Sequence, residues 1–499
     1  MFMKTFLPAI FGFIFLFILM ALYEQNAFSS EFKSVWMKNL PYESWMNATM
    51  LGVKVGYMHT RVDRAKYNGQ DVLRVDSGIF NEIKRFGMSI KLTKTKLFYI
   101  GDDLTPMYFI SKSDETGQEK VVEGTVQNGI VKMKTTLEGK TTEKVQKLPT
   151  GTIFAEAIEE ITIRKGLKVG TKFSVKAFSI DLYDIVDISI NVLKKEKINY
   201  KGQIKDTFVV DYTMDIMGGI TSREWITDDG EIYKMETLSL GMSFEKVDMV
   251  EALGDTGQLD LILQTKIELQ GERPKPNIEH FKVKVSIPEG NILKTFANND
   301  RQKVTSGKDT GEGIVDVTIY DINENNATRR PITSKEFAKY LSPSIYVQSD
   351  DPEIIAKAQE IAGSEENSWK ASIKICKWVN ENMKDKNYKV GFGTAKQTLK
   401  DLCGDCSEHT VLFIGLARAL GIPSRICTGI VYHKDAFYYH FWPEVYIGRW
   451  ISMEPTLGQI QADASHIQLS STQVETESNI ELGEGVVRTL NKLGIERIE

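Results

Sequence analysis

Six consecutive residues, Gly404, Asp405, Cys406, Ser407, Glu408 and His409, put a thiol where it can serve as a nucleophile. An apolar run follows them to Leu420, and Gly421 and Pro423 then supply a stop, so Cys406 opens a helix. The positive end of a helix favours thiolate over thiol, and its unpaired N–H groups can receive an oxyanion. Downstream, His440 stands among Tyr438, Tyr439, Phe441 and Trp442 in a stretch that reads as a strand. An imidazole there can take the thiol proton and hand it to a departing amine. A third group has to orient that imidazole, and Glu454, just past 450–453, is the best-placed acid. Each residue also has a plainer use. A cysteine is most often a small buried hydrophobe, and a histidine in an aromatic strand most often a packed one.

The other cysteines are Cys376, Cys403 and Cys427, so all four fall in the last third of the chain. A disulfide scaffold does not suit a chain of this size. Cys403 and Cys406 form a Cys-x-x-Cys, which fits a redox pair or half a zinc site. No second such pair exists, and the histidine spacing fits no metal knuckle. Cys403 is expected to pack, with a reversible disulfide to Cys406 as the alternative. Cys376 and Cys427 read as core. No metal and no organic cofactor is expected, and calcium has no carboxylate cage.

The elements that must position these groups follow from periodicity. Trp369, Ile373, Cys376, Val379 and Met383 make one apolar helical stripe. The Cys406 helix comes next, then strands at 425–432, 438–447 and 450–453. Helices before strands in a compact unit predict an α+β domain. Four motifs then occur in order: Gly404-Asp405-Cys406; an Arg-Ala-Leu-Gly-Ile-Pro-Ser-Arg run ending at Arg425; His440 through Val445; and Trp450 through Thr456. Together they make residues 344–469 resemble the transglutaminase-like superfamily, of the exported bacterial type.

That resemblance implies a papain-like thiol acyl-transfer fold with Cys406 as nucleophile, His440 as base and Glu454 in the position of the family's aspartate. Two residues depart from the pattern. Glu454 is one methylene longer than Asp, and Phe441 replaces the small residue usual after the histidine. Phe441 is expected to narrow the site mouth or turn into the core. Asp463 and His466, in a stretch that resembles an extension of exported members, read as capping and packing residues.

The front of the chain has another character. Residues 31–255 alternate apolar and polar at many positions, as at Val53, Val55 and Tyr57, with turn signals such as Asn68-Gly69 and Asn128-Gly129. This predicts antiparallel β structure, as one or two sub-units. The opening from Trp45 to Tyr57 also looks like a half-barrel domain of exported bacterial proteins. Residues 256–342 read as a linker around 273–277 followed by a small β module, residues 343–475 as the transglutaminase-like domain, and residues 476–499 as a C-terminal tail.

Residues 1–30 read as a signal peptide or signal anchor, because residues 6–23 carry no charge and follow Lys4. The expected partners are therefore the inner-membrane lipid bilayer, through residues 6–23, and a peptide or protein amide substrate. The rest of the chain is expected to face the periplasm or cell exterior, or to be secreted if the segment is cleaved. With 42% hydrophobic and 26% charged residues the chain should fold, and a net charge of −5 with interspersed signs gives no footprint for nucleic acid. The expected function is an envelope-facing cysteine peptidase or amidase working through a Cys406 thioester, with water favoured over an amine as acceptor. A peptidoglycan stem peptide is one such substrate. The rival reading is a non-catalytic envelope scaffold. Oligomeric state is left open.

Overall fold

The computed structural model describes residues 34–498, apart from 217–218, 289, 386–392 and 473–479. The expected anchor at 6–23 lies outside the described residues. Among those that are described, no helix is long and apolar enough to cross a membrane.

The front of the chain is one continuous fifteen-stranded sheet rather than two sub-units. Eight strands, from Tyr42–Met50 to Lys140–Lys147, follow one another outward in one direction. Seven more, from Ile153–Phe154 to Met242–Val247, return from the other edge. The halves join where Trp45 pairs with Val247 and Met50 with Met242. Two-residue turns repeat along it: Asn68-Gly69 has φ of 50° and 80°, and Asn128-Gly129 has 51° and 70°. Positive φ at both central positions gives the turn whose twist matches the flanking strands. The sheet curls around the helix Ile158–Lys165 and a cluster of rings. Phe154 meets Phe98 and Phe109 edge-on, with centroids 5.6 Å and 5.8 Å away.

A second sheet has five strands, in the order Leu269–Gln270, Gly494–Arg497, His280–Ser286, Glu312–Thr318 and Gln302–Ser306. The residues set apart as a tail therefore supply a strand inside this sheet, preceded by the helix Ile480–Thr489. Leu493 and Ile495 are buried there with Phe281, Val283 and Val285. So short a segment shows no periodicity of its own; pairing with distant strands decides its fate.

The last unit holds the chemistry. Its four strands run Trp450–Ser452, Ala436–Tyr446, Ser424–His433 and His466–Thr472. Four helices cover it: Pro352–Ala362, Ser368–Asn382, Ala395–Asp401 and Cys406–Ala419. Each begins on a side-chain cap, from Asp351, Asn367, Thr394 and Asp405 in turn. The Cys406 helix is buried from Ser407 to Arg418. A helix buried on every side sits at the centre of its domain.

The three units touch where the site needs support. Ile267 and Phe437 exchange backbone hydrogen bonds of 2.9 Å and 2.8 Å, tying the five-stranded sheet to the strand that bears His440. Buried Arg301 donates to the carbonyls of His466 (2.8 Å) and Asp463 (2.6 Å). From the front sheet, Leu137 enters the helical core, and its neighbour Lys140 pairs with Asp350 at 2.8 Å.

Candidate active site

Cys406 is the first residue of its helix, as its sequence setting predicts. Gly404, two residues earlier, has φ of +139°, and a Cβ there would come 2.5 Å from Glu408. Only glycine lets the chain enter the helix this closely. Asp405 and Glu408 then form a capping box. Asp405 accepts from the Ser407 amide at 2.9 Å, and Glu408 accepts from the Asp405 amide at 2.8 Å.

That cap changes the electrostatics expected of a helix start. Burial, and then the Asp405 carboxylate, push the Cys406 thiol well above the usual cysteine range. Glu408 and Glu454 add to the effect, while the Phe441 amide opposes it. The expected lowering by the helix end is overridden, because acidic caps answer the helix dipole before the thiolate can. Glu408 is itself pushed up to about 8, first by burial and then by Asp405.

His440 lies on the strand Ala436–Tyr446, against which this helix packs. Its neighbour Phe441 anchors the contact twice: the Cys406 thiol interacts with the Phe441 amide, and Thr410 donates to the Phe441 carbonyl at 3.2 Å. The Phe441 ring is partly buried against the helical core, so its bulk is turned inward.

His440 Nε2 is 2.7 Å from Glu454 Oε2. The longer side chain of Glu454 is thus accommodated. The chain turns back after it, with Glu454 and Gln459 exchanging backbone hydrogen bonds of 3.1 Å and 2.9 Å, and Glu454 Oε1 accepts from the Leu457 amide at 3.0 Å. Glu454 is fully buried, which by itself would raise its carboxyl. The His440 and His466 rings outweigh that burial and hold it well below the usual carboxylate range. His440 and Glu454 thus meet directly, and the Cys406 thiol lies against the amide of Phe441, the residue after His440.

His466 was read as packing, yet it completes the network. Its Nε2 is 3.0 Å from the same Glu454 oxygen, and its Nδ1 is 3.2 Å from Asp463 Oδ1. Burial works against charge on His466, but its hydrogen bonds to Asp463 and Glu454 raise its pKa. Asp463 is lowered to about 2, against a burial effect of opposite sign, chiefly by His466. The result is a buried chain, His440–Glu454–His466–Asp463. Its sequence signal was a second His and Asp nine to twelve residues past Glu454, which is no motif without tertiary pairing.

The ligand atoms of His440, Glu454 and His466 lie within 4.8 Å of one another, so these three could also hold a metal ion. The imidazole–carboxylate hydrogen bonds already use Nε2 of both histidines. Cys403 and Cys406 are both free thiols. Cys376 is buried, and burial pushes its thiol up to about 12, which marks it as core.

The comparisons with known proteins divide the chain at the same place. The model of the transglutaminase-like superfamily matches residues 355–455, a span holding Cys406, His440 and Glu454. A family described as a protein of unknown function, DUF3108, matches residues 43–250, the fifteen-stranded sheet. No curated protein matches the chain. Among solved structures, the chain is similar to a "Putative Cysteine Protease" from Cytophaga hutchinsonii, at 18% identity and TM-score 0.32, covering 44% of this chain and 86% of that one. It is also similar to a β-barrel-like protein of the DUF1849 domain from Brucella abortus, at 11% identity and TM-score 0.33, covering 41% and 95%. A "Putative Protease" from Parabacteroides distasonis is 12% identical with TM-score 0.21, covering 73% and 69%.

Proposed function

The segment 355–455 belongs to the transglutaminase-like superfamily, and from that premise we propose that the chain is an envelope-facing cysteine acyl-transfer enzyme acting on peptide or protein amides. The observation that carries the reading is the 2.7 Å contact of His440 Nε2 with a fully buried, ionised Glu454. With Nε2 donating to the carboxylate, Nδ1 keeps a lone pair and is the nitrogen left to act as base.

In this reading the Cys406 sulfur attacks the amide carbonyl carbon while its proton passes to His440 Nδ1. Asp405 caps Ser407 and Glu408, so the Cys406 amide is the helix-end donor for the oxyanion. The tetrahedral intermediate collapses, the C–N bond breaks, and the amine leaves with the proton from His440. A thioester remains. Water, giving a proton back through His440, restores the thiol and releases an acid; an amine in its place gives transamidation. Hydrolysis is the proposed outcome. Residues 6–23 are proposed to anchor the chain in the inner membrane, with the described domains in the periplasm or outside the cell. One feature favours the rival reading of a non-catalytic scaffold, namely the acidic neighbours Asp405, Glu408 and Glu454 that push the Cys406 thiol up.

Acid-quenched mass spectrometry after exposure to envelope extract separates the two. An acyl adduct on Cys406, labile to hydroxylamine and absent from Cys406→Ala, is the expected result. A persistently bare Cys406 in all envelope fractions would favour the scaffold.

A further inference from the structure

A cavity of about 740 Å3 opens beside the start of the Cys406 helix. Two units wall it. Glu119 and Glu138 come from hairpins of the front sheet; Thr398, Asp401 and Glu408 come from the catalytic unit. The floor is Thr398 and Glu408, which are 3% and 4% exposed, and the other three carboxylates stand exposed around the mouth.

Three features give the cavity a chemical preference. First, Thr398 Oγ1 is buried there with no hydrogen-bond partner among the described residues. Gly393 lies beside that oxygen and donates its amide to Glu408 Oε1 at 2.7 Å. A buried hydroxyl without a partner is costly, and a bound donor relieves it. Second, no Lys, Arg or His is among the described residues lining the cavity. Third, two lysines near the cavity are paired elsewhere: Lys140 to Asp350 at 2.8 Å and Lys396 to Asp351 at 2.9 Å.

We infer that this cavity is a subsite for a primary ammonium group carried by the substrate, either a lysine-type side chain or a free peptide amino terminus. Carboxylates supply the charge, and Thr398 with the rim oxygens supply the acceptors that an ammonium's three donors require. The inference rests on the acyl-transfer reading and deepens it. Cys403 and Gly404, just before the nucleophile in the chain, line the cavity, and the front sheet becomes a substrate-selecting wall.

Fluorescence anisotropy on the full chain carrying Cys406→Ala tests it with three labelled peptides. One has a single lysine and a blocked amino terminus, one has a free amino terminus and no lysine, and one has an acetyl-lysine and a blocked terminus. At least tenfold tighter binding of either of the first two over the third is expected, and which one wins identifies the source of the ammonium. Glu138→Gln with Asp401→Asn should remove at least tenfold of that preference. Thr398→Val, which keeps every charge, should weaken it severalfold. Asp187→Asn, on the far sheet and paired with Lys176 at 2.7 Å, should leave it unchanged. Equal binding of all three peptides, or an equal loss with Asp187→Asn, overturns the inference. Binding is read without the nucleophile. Its failure therefore leaves acyl transfer standing, and an absence of Cys406 adducts leaves this result standing.

Discussion

Replacing His440 with Ala should slow acyl-enzyme formation on Cys406 by a factor on the order of 10^2–10^4, the span that a positioned general base supplies. The size of the effect follows from the state of the sulfur. Burial, Asp405, Glu408 and Glu454 all favour the protonated thiol, and the Phe441 amide opposes them. A cysteine whose helix end made it a resting thiolate would lose much less when its base was removed. His440 is 8% exposed and pairs with the buried Glu454, so the variant should also melt at a lower temperature, and its rate is to be read below that melt with circular dichroism unchanged. Rapid-quench measurement of adduct formation with an activated peptide ester checks the expectation. A loss below about threefold would remove His440 from the mechanism.

Glu454→Gln should be comparably damaging for catalysis and should also cost stability. The amide cannot supply a negative charge, and it presents either an oxygen or an NH2 to two histidine nitrogens that both meet the same carboxylate oxygen now. The orienting group in such triads is worth up to about 10^4 in rate. Removing one partner of a buried charge pair costs about 3–5 kcal/mol. The cost depends on pH in a way the network sets. The Glu454 carboxyl is held below its ordinary 4.5, so its contribution is present above pH 4.5 and is lost as pH falls through the folded value. His466 is raised above its ordinary 6.5, so its contribution is complete below pH 6.5 and is lost as pH rises through its folded value. Denaturant melts of the two proteins should therefore differ most between pH 4.5 and 6.5. A difference that stayed flat from pH 4 to 9 would mean that the histidine pair does not share this charge.

What could be read beforehand, and what could not, divides along the range of the interactions. The Cys406 helix, the stripe of Trp369 and Cys376, and the strands around His440 are local patterns, and the structure places them within a residue or two of expectation. Sequence also named Cys406, His440 and Glu454, because four motifs in order carry a resemblance that single residues do not. His466 and Asp463 were passed over because their role exists only once the strand His466–Thr472 lies beside Ser424–His433 and brings them to Glu454. The raised pKa of the acid-capped, partly exposed thiol was not foreseen for a related reason. The helix dipole is visible in a sequence, whereas the desolvation that outweighs it is a property of the packed site. The strand Gly494–Arg497 and the cavity between Glu138 and Thr398 depend on contacts over hundreds of residues, where no periodicity reports.

The central claim is that His440 controls the proton on the Cys406 sulfur. Alkylation by iodoacetamide at neutral pH, followed site by site with peptide mass mapping, tests it directly. In the native chain Cys406 should react faster than the partly exposed Cys403, and that advantage should vanish in His440→Ala while the Cys403 rate stays constant. Identical Cys406 rates in the two proteins would contradict the claim and leave a transglutaminase-like fold whose histidine does not serve its cysteine.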